Sequence, residues 1–342
     1  MIKRPTQTDV AKRAGVSRAT VSYVLNEQHG AAPVSAATRL RVMQAINDLG
    51  YEPDTRAQSL RSGHSKTIGL LVPDIHNPHY WQAIEGIEEE ARAGGFDLLL
   101  THSSFDRTRE DYCLQALIQR TISGLIIIKA GGSLKPETVK KLLATGRPIG
   151  EFLSQTAGFD SVTGRGYRKV TRELMDHLLQ LGHKNFAFIN GVANPDLGTN
   201  RLKTYRTCLQ EAGIPTSNAH VENCGTSTEE GYQATIKVLR LKPQTTAIIV
   251  INDLLAMGVV RAIYDLDLQV PKDISVASFD DIDSSNYFVP RLTTVRTDAK
   301  AEGKLLTRLL LDRLRDPSLE ARTVELSARL IIRESTGKAA HS

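Results

Sequence analysis

Arg18, Ala19, Ser22 and Tyr23 fall on one face of a short helical stretch whose other face carries Val21, Val24 and Leu25. A guanidinium, a hydroxyl and a phenol beside a small alanine can meet base edges and phosphates, and arginine is suited to guanine. A second polar set follows apolar strand-like runs: Asp74-Ile75-His76-Asn77-Pro78 with Tyr80 and Trp81, then residues 194–201, Asn252-Asp253, Asp280-Asp281 and Thr297-Asp298. Loops in these positions hold ligands in parallel α/β sheets. An arginine with an asparagine and an aspartate offers fixed donors and acceptors for vicinal hydroxyls. Enzyme chemistry is disfavoured, because neither GxxxxGK[ST] nor GxSxG occurs. Asp280 and Asp281, adjacent on a strand end, should diverge rather than act as an acid–base pair. His76, His79, His102, His177 and His183 show no metal spacing, and His183 reads as structural; no metal and no cofactor are expected.

The elements that must position the first set begin at Thr6, a helix cap with Asp9 three residues on. Val10, Ala11 and Ala14 line one helical face, Gly15 permits the positive φ that ends the helix, and Ser17 caps the next. Two short helices joined by a glycine turn are a helix-turn-helix, whose second helix enters the major groove; an ordinary helical hairpin is the plainer alternative. A polar loop over 27–33 precedes a supporting helix capped by Ser35, running through Leu40, Met43, Ile46 and Leu49 to Gly50. Residues 51–63, YEPDTRAQSLRSG, form a linker with a short helix over 55–61, marginal in isolation because helices below about 12 residues rarely persist in water.

Beyond residue 66 the pattern alternates. Strands are expected over 67–72, 96–100, 124–129, 147–152, 185–190, 247–251 and 274–279, and helices over stretches such as 80–93, 109–120, 171–181, 202–212 and 254–265. Continuous apolar strands between helices imply parallel, doubly wound sheets covered on both faces. Residues 1–66 hold ten Lys/Arg against five Asp/Glu, which accounts for the whole net charge of +5 and places it where a polyanionic duplex would be met. Cys113, Cys208 and Cys224 lack paired spacing and read as core thiols. The chain has no apolar signal core and no membrane-length run, so a cytoplasmic protein, nucleoid-associated when bound to DNA, is expected.

AxxAGVSxxTVSxxLN, from Ala11 to Asn26, resembles the opening of the lactose-repressor (LacI/GalR) family of bacterial transcription regulators. Tyr51, Pro53, Leu60, Arg61 and Gly63 fit that family's hinge, and residues 316–337 resemble its ending. The resemblance implies a three-helix helix-turn-helix domain (1–50), a hinge (51–65) and a two-lobed, periplasmic-binding-protein-like domain for effector and dimerisation (66–342). It splits the latter into an N-lobe of about 66–162 and 296–322 and a C-lobe of about 163–293 and 323–336. The DNA set becomes Thr6, Ser17, Arg18, Ala19, Thr20, Ser22, Tyr23 and Asn26, with Arg56, Ala57 and Leu60 in the hinge, Leu60 as a minor-groove wedge. The ligand set becomes Asp74, Tyr80, Trp81, Arg201, Asn252 and Asp280, where Trp81 offers either a sugar-stacking face or an interface aromatic. Asp253 and Asp281 are expected to cap helices.

Tyr23, Arg165-Gly166 and Ala299 depart from the family pattern, which alters a DNA contact, the lobe-crossing segment and one cleft wall. Without a heptad of leucines after Arg333, a homodimer reading a near-palindromic operator is the default. The implied function is repression controlled by a sugar or sugar-derived effector. A partner protein as effector, or a solute-binding transport component, are the alternatives. Leu60→Ala should then weaken specific operator binding far more than non-specific binding in titrations against both DNAs; equal losses would rule out a wedge.

Overall fold

The computed structural model describes residues 5–26, 34–51, 65–129, 133–152, 155–163, 166–191 and 199–340. The hinge candidates Arg56, Ala57 and Leu60 lie outside the described residues, as do Arg165 and the loop over 27–33. Two compact units emerge, Met1–Ser65 and Lys66–Ser342.

In the first unit, α1 (Gln7–Ala14) starts at a Thr6–Asp9 capping box and ends at Gly15, whose φ of 65° and ψ of 41° are left-handed. Helices α2 (Arg18–Asn26) and α3 (Ala36–Leu49) follow, the latter capped by Ser35 Oγ accepting from Thr38 N at 3.2 Å. Val10, Ala11, Ala14, Val21, Val24, Val42, Ala45 and Tyr51 form the core. One expectation is corrected. Leu40 and Met43 are 69% and 46% exposed, and α3 turns Val42 and Ala45 inward instead, with Ile46 and Leu49 packed beside them. The helix carries two overlapping apolar stripes, and the one with the small Ala45 lets it close on α1.

The second unit is two six-stranded sheets with helices on both faces. The first lobe contains β1 (Thr67–Val72), α4 (Pro78–Ala93), β2 (Asp97–His102), α5 (Arg107–Ile118), β3 (Gly124–Ile127), α6 (Pro136–Leu143), β4 (Ile149–Phe152) and β5 (Asp160–Thr163). The second contains α7 (Gly166–Gln180), β6 (Phe186–Gly191), α8 (Thr199–Glu211), β7 (Ala219–Cys224), α9 (Thr228–Leu241), β8 (Ala247–Val250), α10 (Asp253–Asp265), β9 (Ser275–Asp280) and β10 (Thr293–Arg296). Then α11 (Ala299–Arg315) and β11 (Thr323–Glu325) return to the first lobe, and β12 (Arg329–Ile331) to the second. The strand orders are β11-β5-β4-β3-β1-β2, all parallel, and β12-β10-β9-β8-β6-β7, parallel except for β12.

The lobe boundaries drawn from sequence shift. All of β10 pairs with β9, so the first lobe resumes at α11 rather than near 296. β11 pairs with β5, Val324 opposite Val162, which moves the last crossing from 322 to beyond Glu325. A three-residue strand with only three residues between it and β12 gives no sequence break that separates them.

Successive residues of the first sheet feed different layers. Leu70, Val72, Ile126 and Ile128 pack with α4 and α11, while Leu71, Leu125 and Ile127 pack with α5. Helices α4 and α11 cross at Gly86 and Gly303; a Cβ on Gly303 would stand 2.3 Å from Ala83 O, and one on Gly86 would stand 2.1 Å from Lys300 O. Both neighbours are backbone and cannot swing away. Gly303→Ala should therefore destabilise the unit by about 1–3 kcal/mol through overpacking, read as a lower denaturation midpoint; an unchanged midpoint would mean that the helices separate freely.

Candidate functional site

Two sites follow from the two units. In the first, the Thr6 hydroxyl donates to Asp9 Oδ2 at 2.6 Å, and Ser17 Oγ accepts from Thr20 N at 3.1 Å with the two hydroxyls 2.9 Å apart. These four residues fix the starts of α1 and α2. Arg18 and Ala19 are exposed at the first turn of α2, Tyr23 is 47% exposed one turn on, Ser22 is half-buried, and Asn26 ends the helix. The helix therefore offers an outward face while Val21 and Val24 anchor it.

The second site lies where strands of both lobes end. At the end of β9, Asp280 and Asp281 have φ of 107° and 52°. Such backbone costs about 1–3 kcal/mol per residue and persists only where surroundings enforce it. The two side chains diverge. Asp280, 5% exposed, has one oxygen accepting from Asn77 Nδ2 across the lobes at 3.3 Å and the other 3.7 Å from Arg201 Nη2. Arg201 donates to Ile251 O at 2.6 Å, with its guanidinium 4.7 Å from the Tyr167 ring and 4.5 Å from the Phe279 ring. These contacts leave Arg201 one orientation.

Burial, reinforced by the Asp280 charge, pushes the Tyr80 phenol well above its ordinary value, and burial does the same to Tyr167. Both phenols remain neutral donors. Asp74 is spent on the turn before α4, accepting from His76 N at 2.9 Å and Asn77 N at 3.2 Å. Asn252 Oδ1 caps α10 by accepting from Leu255 N at 2.9 Å. Trp81 donates its indole N–H to Ile75 O at 3.0 Å and keeps its ring 49% exposed. The structure thus gathers Arg201, Asp280 and Tyr80, and gives Asp74 and Asn252 local structural bonds.

Asp253 and Asp281 are corrected, since neither caps a helix. Asn252 is the α10 cap. Asp253, wholly buried, accepts from Ser278 Oγ, Ser285 Oγ (2.6 Å), Thr294 Oγ1 (2.7 Å) and Ile282 N (3.0 Å). Asp281 is paired with Arg296 and with Arg333 at 2.7 Å. Ala299 packs in the first-lobe core, 1% exposed.

Asn77 and Tyr167 stand in the group around Arg201 and Asp280 and are absent from the sequence-derived ligand set. Among the described residues, six buried side-chain atoms lack a partner: His79 Nδ1, Ser103 Oγ, Thr163 Oγ1, Asn190 Oδ1, Thr297 Oγ1 and Tyr205 OH. The first five lie at the start of α4 or at the carboxyl ends of β2, β5, β6 and β10. Buried polar atoms are ordinarily paired, so their concentration around the strand ends singles this region out as the candidate binding surface. Among the described residues no group of three His, Cys, Asp or Glu could hold a metal, and no helix is long and apolar enough to cross a membrane.

Residues 6–54 match the profile of bacterial regulatory proteins of the lacI family, and residues 175–336 match a periplasmic binding protein-like domain. The chain is 32% identical to the HTH-type transcriptional repressor PurR of Proteus mirabilis, over 96% of each chain. It is similar to the crystal structure of the Lac repressor dimer bound to operator and the anti-inducer ONPF, with TM-score 0.82 and 28% identity over 98% of this chain and 100% of that one. It is also similar to a LacI family transcriptional regulator from Enterococcus faecium with bound ribose, with TM-score 0.72 and 29% identity over 80% of this chain and 99% of that one.

Burial first, and then the Asp280 charge, push the Asp253 carboxyl from 3.8 up to about 7. The folded state then holds a proton that the unfolded chain has already lost, so stability falls as pH rises between those values. Denaturant titrations across this range should show that fall, and Asp253→Asn should flatten it; an unchanged slope would mean that Asp253 ionises at its ordinary value.

Proposed function

The chain belongs to the lacI family of bacterial regulatory proteins and is a DNA-binding transcriptional regulator, not an enzyme; we propose that it represses genes from a near-palindromic operator, as a homodimer released or recruited by a small polyhydroxylated effector. The observation that carries the effector reading is the Asn77–Asp280–Arg201 group, in which a first-lobe amide meets a second-lobe carboxylate at the strand ends. A hydroxylated ligand at this seam competes for the same donors and acceptors, and so changes how the lobes are set. Its leverage on the lobe setting is limited to its difference in affinity for the two settings.

The DNA half of the proposal places Arg18 and Ala19 at base edges in the major groove, with Thr20, Ser22 and Tyr23 against bases or phosphates. Thr6 and Ser17 hold the starts of the two helices and, together with Asn26, meet the DNA backbone in this reading. The hinge residues Arg56, Ala57 and Leu60 link the reading head to the lobes, so a lobe setting that parts two hinges costs the dimer its simultaneous grip on two half-sites.

Neutral sugars suit this chemistry, since a solved relative holds ribose and Arg201 with Asp280 presents opposed donors and acceptors. Arg201→Ala tests the reading. It should leave operator affinity within a few-fold of wild type in a binding titration, while effector-dependent change in that affinity is lost. Stability should also fall by about 1–3 kcal/mol, because Ile251 O and Asp280 each lose a charged partner. An undiminished effector response would remove Arg201 from the site.

A further inference from the structure

Glu302 is a buried charge that nothing above employs. It is 6% exposed, on a face of α11 otherwise formed by buried Ala299, Gly303, Leu306 and Leu310. Its carboxylate makes no hydrogen bond or ion pair among the described residues. A largely buried carboxylate that finds neither donor nor cation within the fold is unfavourable unless donors come from elsewhere. The Glu302 oxygens are not among the fully buried atoms without a partner, so donors reach them from outside the fold.

Its surroundings say where that is. Burial pushes the Glu302 carboxyl up, the His79 charge from α4 acts against that, and Asp298 and Asp280 add to it. Glu302 in turn bears on Tyr167. Asp280 and Tyr167 belong to the second lobe and Glu302 to the first, so the carboxylate stands at the seam. His79, its neighbour, has a buried Nδ1 without a partner. Acids outnumber bases here: Asp74, Asp280, Asp298 and Glu302 against Arg201 and His79, with Arg201 already engaged by Ile251 O and Asp280.

We propose that Glu302, with His79, is a specificity determinant of the effector site, its carboxylate accepting hydroxyls of a neutral polyol and excluding sugars that carry a phosphate or carboxylate. This rests on the seam being the effector site. Two hydroxyl donors satisfy the oxygens that the fold leaves bare. An anion brought beside Glu302 and Asp280 meets like charge where water screens least.

Calorimetry on the full chain would use ribose, glucose and galactose against ribose 5-phosphate, glucose 6-phosphate and galacturonate. A neutral sugar should bind, and its anionic counterpart at least about tenfold more weakly. Glu302→Gln should weaken the neutral sugar several-fold and narrow that gap. Glu302→Leu should abolish binding of the neutral sugar and raise the melting temperature of the ligand-free protein, whereas a purely structural Glu302 would lower it on substitution. Preference for the phosphorylated sugars, or a gap unchanged in Glu302→Gln, overturns the proposal. If Arg201→Ala loses sugar binding and Glu302→Gln does not, only the role of Glu302 falls. If no sugar of either kind binds the wild type, the effector reading falls and takes this proposal with it.

Discussion

Three carboxylates, Asp253, Asp280 and Asp281, are buried together where β9 leaves its sheet, and the second unit is arranged around keeping them apart in charge. Like charges at low dielectric repel strongly, and each needs its own compensation. Asp281 has two guanidinium partners, Arg296 and Arg333. Asp253 has three hydroxyls, a backbone N–H and a raised affinity for its proton. Asp280 has only Arg201 at 3.7 Å and the Asn77 amide at 3.3 Å. It is the least satisfied of the three and the one that faces the other lobe.

That ordering separates a fixed side of the seam from an adjustable one. Arg296 ends β10, just before the chain crosses to α11, and Arg333 follows β12, just after the last crossing back. Both clamp Asp281, so two crossing segments are tied to one buried anion. Arg333 also donates to Leu292 O at 2.7 Å, which ties the clamp to the start of β10. The bond from Asn77 to Asp280 has neither full charge on both sides nor short length. Exchanging it for a ligand hydroxyl is close to isoenergetic, and a switch needs such a contact rather than a strong one.

The sequence made the scaffold legible wherever a pattern was continuous. The apolar run at 67–72 is β1 itself, and the cap residues Thr6, Gly15, Ser17 and Ser35 stand at the ends of the head helices because their chemistry admits few other places. The edge strand β2 was legible over 96–100, whereas the edge strand β7 was not. In β7, Ala219–Cys224, histidine, glutamate and asparagine interrupt the apolar residues, and its one buried residue is Glu222, held by Lys237 and His220, which no apolar pattern reveals. α3 misled because Leu40 and Met43 keep helical spacing with the true inner stripe. At the site, position was legible and partnership was not. Strand-end loops were the right neighbourhood, yet whether Asp253 caps a helix or receives four donors depends on Ser278, Ser285 and Thr294, which only folding brings near. Glu302 did leave a trace, a lone carboxylate in an apolar stripe of α11.

The strain at β9 completes the argument about where adjustment is possible. Left-handed φ at two consecutive non-glycine residues is disfavoured, and an extended continuation of β9 would relieve it. That continuation would also set the two side chains on opposite faces, so what the turn secures is not their divergence but the reach of Asp281 to Arg296 and Arg333 and of Asp280 to Asn77 and Arg201. The Arg296–Asp281–Arg333 clamp holds one carboxylate back, and Arg201, fixed between Tyr167 and Phe279, draws the other toward the seam. The strained turn is therefore maintained by partners on opposite sides, and a ligand that replaces Asn77 on Asp280 changes only one of them. The proposed effector can reset the lobes without loosening the fold that holds its own site.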